Sequence, residues 1–250
     1  MKIGLVLSGG GARGFAHLGV LKALDELDIR VDAIAGTSAG AVAGAFYFAR
    51  HKPEEAFRYI SSYKIYHWAR PIWRKPGFLN MEKIGELFSK YLPETFEELD
   101  RPLTVAATDV LKGESVFFNS GPLVPAVCSS ACIPVLFQPI NFAGSQLVDG
   151  GVLNNFPVEA MIGKSENIIG VHVNRIKAVD NVSFKNMVDR NVMLILRKEI
   201  YQKKDKCTVF IEPPECGNYN MLDLASGEKI MKIGYDAAMA MKEQILKLKA

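Results

Sequence analysis

The stretch Ile3-Gly4-Leu5-Val6-Leu7-Ser8-Gly9-Gly10-Gly11-Ala12-Arg13-Gly14 decides the fold. A short apolar run stops at glycines, and Phe15–Leu27 then carries apolar residues at helical spacing, Leu18, Leu21 and Leu24 among them. The first part reads as a buried strand and the second as a helix that lays one face on a core. The pattern then recurs. Val31–Ala35 reads as a strand and Ala39–Arg50 as a helix rich in alanine and apolar all round, hence central. Strand–helix–strand–helix at these lengths predicts a parallel sheet covered by helices.

Further along, Leu103–Ala107, Ser115–Phe118, Gly144–Val148, Ile168–Val173 and Thr208–Ile211 read as strands. Met81–Tyr91, Val192–Arg197 and Ser226–Lys249 read as helices. No repeat or low-complexity linker divides the chain. The expectation is a single α/β domain over residues 1–250, in three layers, with a mostly parallel central sheet flanked by helices.

Hydrophobic residues make up 49% of the 250, enough for a sizeable core, and the net charge is only +3. Such a balance lacks the concentrated basic face of a nucleic-acid protein. The apolar run at the N-terminus is too short for a signal peptide, and no stretch nears the roughly 18 apolar residues of a membrane span. These features predict a soluble, cytoplasmic protein, with peripheral membrane contact left open. Cys128, Cys132, Cys207 and Cys216 match no zinc or redox spacing and read as buried free thiols.

Three motifs carry chemistry. Gly9-Gly10-Gly11-Ala12-Arg13-Gly14 lies between strand and helix, where glycines let the backbone approach a ligand and leave N–H groups for negative charge. It fits the dinucleotide fingerprint, but that fingerprint wants an acidic residue at the end of the second strand, and Asp32 stands at its start. Gly36-Thr37-Ser38-Ala39-Gly40, again between strand and helix, is a GxSxG elbow that exposes a serine hydroxyl. Asp149-Gly150-Gly151 puts a carboxylate at a strand end, although Asp-Gly is also ordinary turn chemistry. A parallel sheet delivers such residues to one edge.

In this order the motifs resemble those of the patatin-like phospholipase family, over about Ile3 to Val158. Ala107-Thr108-Asp109, Ser130-Ala131-Cys132-Ile133-Pro134 and Asn154-Asn155-Phe156-Pro157 strengthen the likeness. The resemblance implies the patatin-like fold and a Ser38–Asp149 catalytic dyad with no histidine. It also implies an oxyanion hole from Gly9, Gly10 and Gly11, with the Ala39 amide helping. Gly14, Gly36, Gly40, Gly150 and Gly151 complete the motifs. Arg13 either braces the glycine loop or contacts an oxyanion or phosphate. Of the four histidines, His17 alone falls near the glycine loop, and a packing role suits it better than catalysis. Asp109 is the rival carboxylate; without a following double glycine it reads as structural.

The chemistry expected is hydrolysis of fatty acyl esters of phospholipids or other lipids through an acyl-enzyme on Ser38, without metal or cofactor. An acyltransferase using the same intermediate, or a catalytically silent lipid-binding protein, are the alternatives. Residues 63–78 interleave both tryptophans with basic residues and read either as a lid or lipid-facing surface, within an insertion of about residues 52–80, or as aromatics packed on the sheet.

Overall fold

The computed structural model of the chain describes residues 2–62, 81–177, 187, 190, 191, 194 and 199–249. The 63–78 segment lies outside them, as does most of the helix expected at 192–197. One eight-stranded sheet gathers the strands β1 (Ile3–Leu7), β2 (Ala33–Thr37), β3 (Leu103–Asp109), β4 (Glu114–Phe118), β5 (Ile140–Phe142), β6 (Ser145–Asp149), β7 (Asn167–Val171) and β8 (Val209–Ile211). Its hydrogen-bonded path is β5-β6-β3-β2-β1-β7-β8, with β4 also paired to β3. The β1, β2, β3, β7 and β8 pairings are parallel, and β4, β5 and β6 join in antiparallel fashion.

The central strands are buried on both faces, as an α/β sheet requires. On β1, Leu5 and Leu7 enter the main core, while Val6 points to a second, smaller cluster with Ala35, Phe156 and Ile168. The main face carries the helices α1 (Phe15–Glu26), α2 (Ala39–Phe48), α3 (Pro53–Ser61), α4 (Glu82–Phe88), α5 (Leu123–Ser130), α6 (Gly227–Ala240) and α7 (Lys242–Leu246). The other face is covered by the loop through Phe156, Val158 and Met161 and by Ile200. The result is a three-layer α/β arrangement around a mixed, mostly parallel sheet. As its sequence suggests, α2 is buried almost all round, against β2, β3 and α1.

Several boundaries differ from expectation. β2 begins at Ala33 and runs on to Thr37, directly into the elbow. α3, α5 and the short β5 were not expected as elements. The closing helix is broken at Met241 into α6 and α7. Cys128, Cys132 and Cys216 are buried free thiols, but Cys207 is half-buried.

Candidate active site

Ser38 sits on the turn between β2 and α2 with φ 51° and ψ −121°. A positive φ is costly for a residue with a side chain, and such strain is typical of a nucleophile elbow. The surroundings hold it there. The Ser38 N–H donates to Ser130 Oγ at 2.8 Å, and the Ser130 hydroxyl donates to the Ala106 carbonyl at 2.6 Å. Behind it, a Cβ on Gly40 would lie 2.3 Å from the Leu7 carbonyl oxygen, so only glycine lets α2 start this close to β1.

The register of β3 brings the carboxylate. Ala106 pairs with Thr37 of β2, and the next residue, Ala107, pairs with Asp149 of β6. Both β3 residues also pair with β4 on the opposite edge, so β2 and β6 meet end to end along one side of β3. The chain then turns at Gly150, where a Cβ would stand 2.3 Å from the Ala106 carbonyl oxygen. Ser38 and Asp149 therefore project from facing strand ends, and the Ser38 hydroxyl donates to Asp149 Oδ2 at 2.6 Å.

Asp149 is 7% exposed and Ser38 5%. Burial pushes the Asp149 carboxyl up to about 6, against the opposing pull of the Ser38 hydroxyl and the Gly151 N–H. The Gly151 N–H donates to Oδ1 at 2.7 Å, which with the Ser38 bond to Oδ2 orients the carboxylate, and Thr108 Oγ1 donates to the Asp149 backbone carbonyl at 3.0 Å. A buried carboxyl tuned in this direction is a stronger proton acceptor than an exposed one.

The glycine loop lies beside this pair. A Cβ on Gly9 would stand 3.2 Å from Ser38 Cβ. The Gly9 N–H itself donates to the Asn155 carbonyl at 3.2 Å. Of the three glycines expected in the oxyanion hole, Gly9 thus has its amide on a carbonyl of the loop after Asp149. The N–H groups of Gly10, Gly11 and Ala39 have no acceptor among the described residues. Arg13 is buried, and its guanidinium donates to the Tyr219 carbonyl at 2.8 Å and to Asn174 Oδ1 at 3.3 Å. Of its two expected roles, bracing the loop is the one these bonds describe.

No described histidine hydrogen-bonds to Ser38 or Asp149. His17 Nε2 is 2.8 Å from the Ser8 carbonyl oxygen, and burial drives its imidazole down to about 4. His51 meets the Tyr91 carbonyl and His172 the Glu212 carboxylate. His67 lies outside the described residues. Asp109 Oδ1 accepts from the N–H groups of Leu111 and Lys112, a turn-bracing role.

A cavity of about 350 Å³ opens from Ser38 between α1, α2, α4 and the segment after α5. Leu18, Val42, Ala43, Ile84, Phe88 and Phe137 line it. Among the described lining residues, Ser38 carries the one polar side chain. This size is within the range of small-ligand sites, and the lining suits a hydrocarbon chain.

Sequence reasoning gave no role to Ser130, Thr37, Thr108, Asn154 or Asn174. Thr37 Oγ1 donates to the Asn154 carbonyl at 2.8 Å, stitching the elbow to the loop after Asp149. Ser130 and Asn154 fall inside stretches that carry the family likeness, but nothing in their spacing marks a hydrogen-bond partner.

Comparison with known proteins identifies the family and the fold. The family model described as patatin-like phospholipase matches residues 5–162. An uncharacterized NTE family protein of Mycobacterium tuberculosis is 36% identical over 187 residues, 69% of this chain and 49% of the relative. The lysophospholipase nte1 of Aspergillus fumigatus is 34% identical over 176 residues, 67% of this chain and 11% of the relative. The chain thus spans about half the length, or less, of these curated relatives. VipD from Legionella pneumophila shares the fold with a TM-score of 0.63 at 15% identity, over 97% of this chain and 67% of VipD. Human GIVD cytosolic phospholipase A2 does so with a TM-score of 0.51 at 12% identity, over 100% of this chain and 60% of that one. The matched region runs from β1 through Asp149 and takes in all three motifs and the strand ends that bring them together: the chain belongs to the patatin-like phospholipase family.

Proposed function

We propose that this chain hydrolyses fatty acyl esters of lipids through an acyl-enzyme on Ser38, with Asp149 as the base. The observation that carries the reading is the 2.6 Å bond from the Ser38 hydroxyl to the buried Asp149 carboxylate at the head of an apolar cavity. Membership in the family and the fungal relative's name, a lysophospholipase, support lipid esters as the substrate class.

In this mechanism the acyl chain enters the cavity and places its ester carbonyl against Ser38. Oγ bonds to the carbonyl carbon as its proton passes to Asp149 Oδ2. The negative charge gathers on the carbonyl oxygen, and the N–H groups of Gly10, Gly11 and Ala39, at the start of α2, receive it. The C–O bond to the alcohol then breaks, the alcohol leaves with the proton from Asp149, and the acyl group stays on Ser38. Water attacks this ester, giving its proton to Asp149; the bond from the acyl carbon to Ser38 Oγ then breaks, Asp149 returns the proton to Oγ, and the fatty acid is released. The raised Asp149 pKa serves both directions, since a group near 6 gives up and takes back a proton readily near neutral pH.

The test is labelling with a fluorophosphonate together with release of p-nitrophenol from acyl esters. Wild type should label and turn over, and Ser38→Ala should do neither while remaining folded. A wild type that neither labels nor hydrolyses short or long acyl esters would overturn the proposal.

A further inference from the structure

The Gly9 carbonyl oxygen accepts two hydrogen bonds, from Asn174 Nδ2 at 2.6 Å and from Ser8 Oγ at 3.0 Å. Both donors are buried, Asn174 at 3% and Ser8 at 0% exposure. A trans peptide is planar, with C=O and the following N–H pointing in opposite directions. Holding the Gly9 oxygen on the Asn174 side therefore aims the Gly10 N–H away from Asn174, out of the loop that runs beside Ser38. The next peptide is fixed by the same logic: the Gly10 carbonyl accepts the Arg13 N–H at 3.2 Å, which directs the Gly11 N–H outward.

The orientation of the Asn174 amide is determined from both ends. Arg13 Nη1 can only donate, so the Asn174 atom 3.3 Å away is Oδ1, and Nδ2 faces Gly9. The Gly9 carbonyl can only accept, which demands the same assignment. Arg13 is itself anchored on the Tyr219 carbonyl. Asn174 and Tyr219 both lie beyond residues 5–162, the part of the chain that matches the family model.

We infer that Asn174 is a positioning residue for the oxyanion hole: it locks the Gly9–Gly10 peptide so that the Gly10 N–H meets the developing oxyanion. This rests on the acyl hydrolase reading of Ser38. Asn174 touches no substrate. Free backbone N–H groups stabilise charge well only if they are already aimed when it develops, and the loop glycines cannot supply that rigidity themselves.

The experiment compares wild type, Asn174→Asp and Asn174→Ser in p-nitrophenyl ester hydrolysis, with circular dichroism and thermal melts. The aspartate variant keeps an acceptor for Arg13 but sets an oxygen that cannot donate against the Gly9 carbonyl. The serine variant is uncharged and too short to reach it. Loss of one oxyanion donor predicts a fall in kcat of about 10²-fold, with KM changed by no more than about threefold. The acid limb of the pH profile should stay in place, because the Ser38–Asp149 pair is untouched. If the aspartate variant fails to fold, the serine variant carries the test. A folded variant with wild-type kcat, or one whose loss lies in KM, overturns the inference while leaving the Ser38 mechanism standing. A wild type without esterase activity overturns both.

Discussion

Thr37 and Asp149 pair with adjacent residues of the same strand, Ala106 and Ala107 of β3, from one side. Neither partner needs to be near the other in sequence. β2 runs into this point parallel to β3, and β6 runs into it antiparallel, so their ends face each other. Ser38 is the residue after Thr37, and its hydrogen bond to Asp149 follows from that junction.

If Ser38 and Asp149 form the dyad, Asp149→Asn should cut kcat by on the order of 10³–10⁴-fold, since an amide cannot take the serine proton. KM should change little, and circular dichroism should show an unchanged fold. Retention of more than a tenth of wild-type kcat would show that another group is the base.

The pH profile should carry the Asp149 signature. The base must be ionised, so kcat/KM should rise through about pH 6 and level off above 7. A profile that rises instead near pH 4 would place the base in a more exposed environment.

Stability should move the opposite way. The Asp149 carboxyl titrates at about 6 in the folded chain against 3.8 for its ordinary value. Below 3.8 it is protonated in both states and burial carries no charge cost. As pH rises through about 6 the folded chain must hold a buried carboxylate, and this favourable contribution is lost. The gap corresponds to on the order of 3 kcal/mol. Asp149→Asn should therefore melt higher than wild type at pH 8, with the difference shrinking towards pH 4.

Ser130→Ala should loosen the elbow. It strands the Ser38 N–H and removes a donor to the Ala106 carbonyl, and a buried unpaired group costs about 1–3 kcal/mol. A lower melting temperature together with reduced kcat is expected. An unchanged kcat would mean that the strained turn at Ser38 is maintained without this bond.

Ala43→Leu should shorten the acyl chains accepted. Ala43 lies on α2, one turn beyond Ala39, and faces the cavity. A larger side chain there takes up space needed by the acyl tail. Hydrolysis of sixteen-carbon esters should fall about tenfold or more relative to four-carbon esters. An unaltered preference in a folded variant would place the acyl chain elsewhere.

Much of this was legible in sequence because it is local. The β1 and β2 runs, the apolar faces of α1 and α2 and the glycines at their junctions are short-range patterns that dictate strand, turn and helix. GGGxRG and GxSxG could be placed on their turns from the flanking periodicity alone. The rest was weaker where the elements are short: α3 has nine residues and falls inside the 52–80 stretch read as an insertion, and β5 is only three residues long. α7 continues the helical pattern of α6, and no proline marks the break at Met241.

The sequence by itself determined the α/β layering, the elbow serine and the glycine loop, since each depends on residues within a few positions of one another. Tertiary structure alone decided the rest. Asp149 meets Ser38 because two strands end against one edge of β3. Its carboxyl rises to about 6 because that junction is buried. The Gly9 amide is taken by Asn155, and the Gly9 carbonyl by Asn174, 165 residues away. Periodicity and propensity act along the chain, whereas hydrogen-bond pairing and desolvation depend on which distant segments the sheet brings into contact.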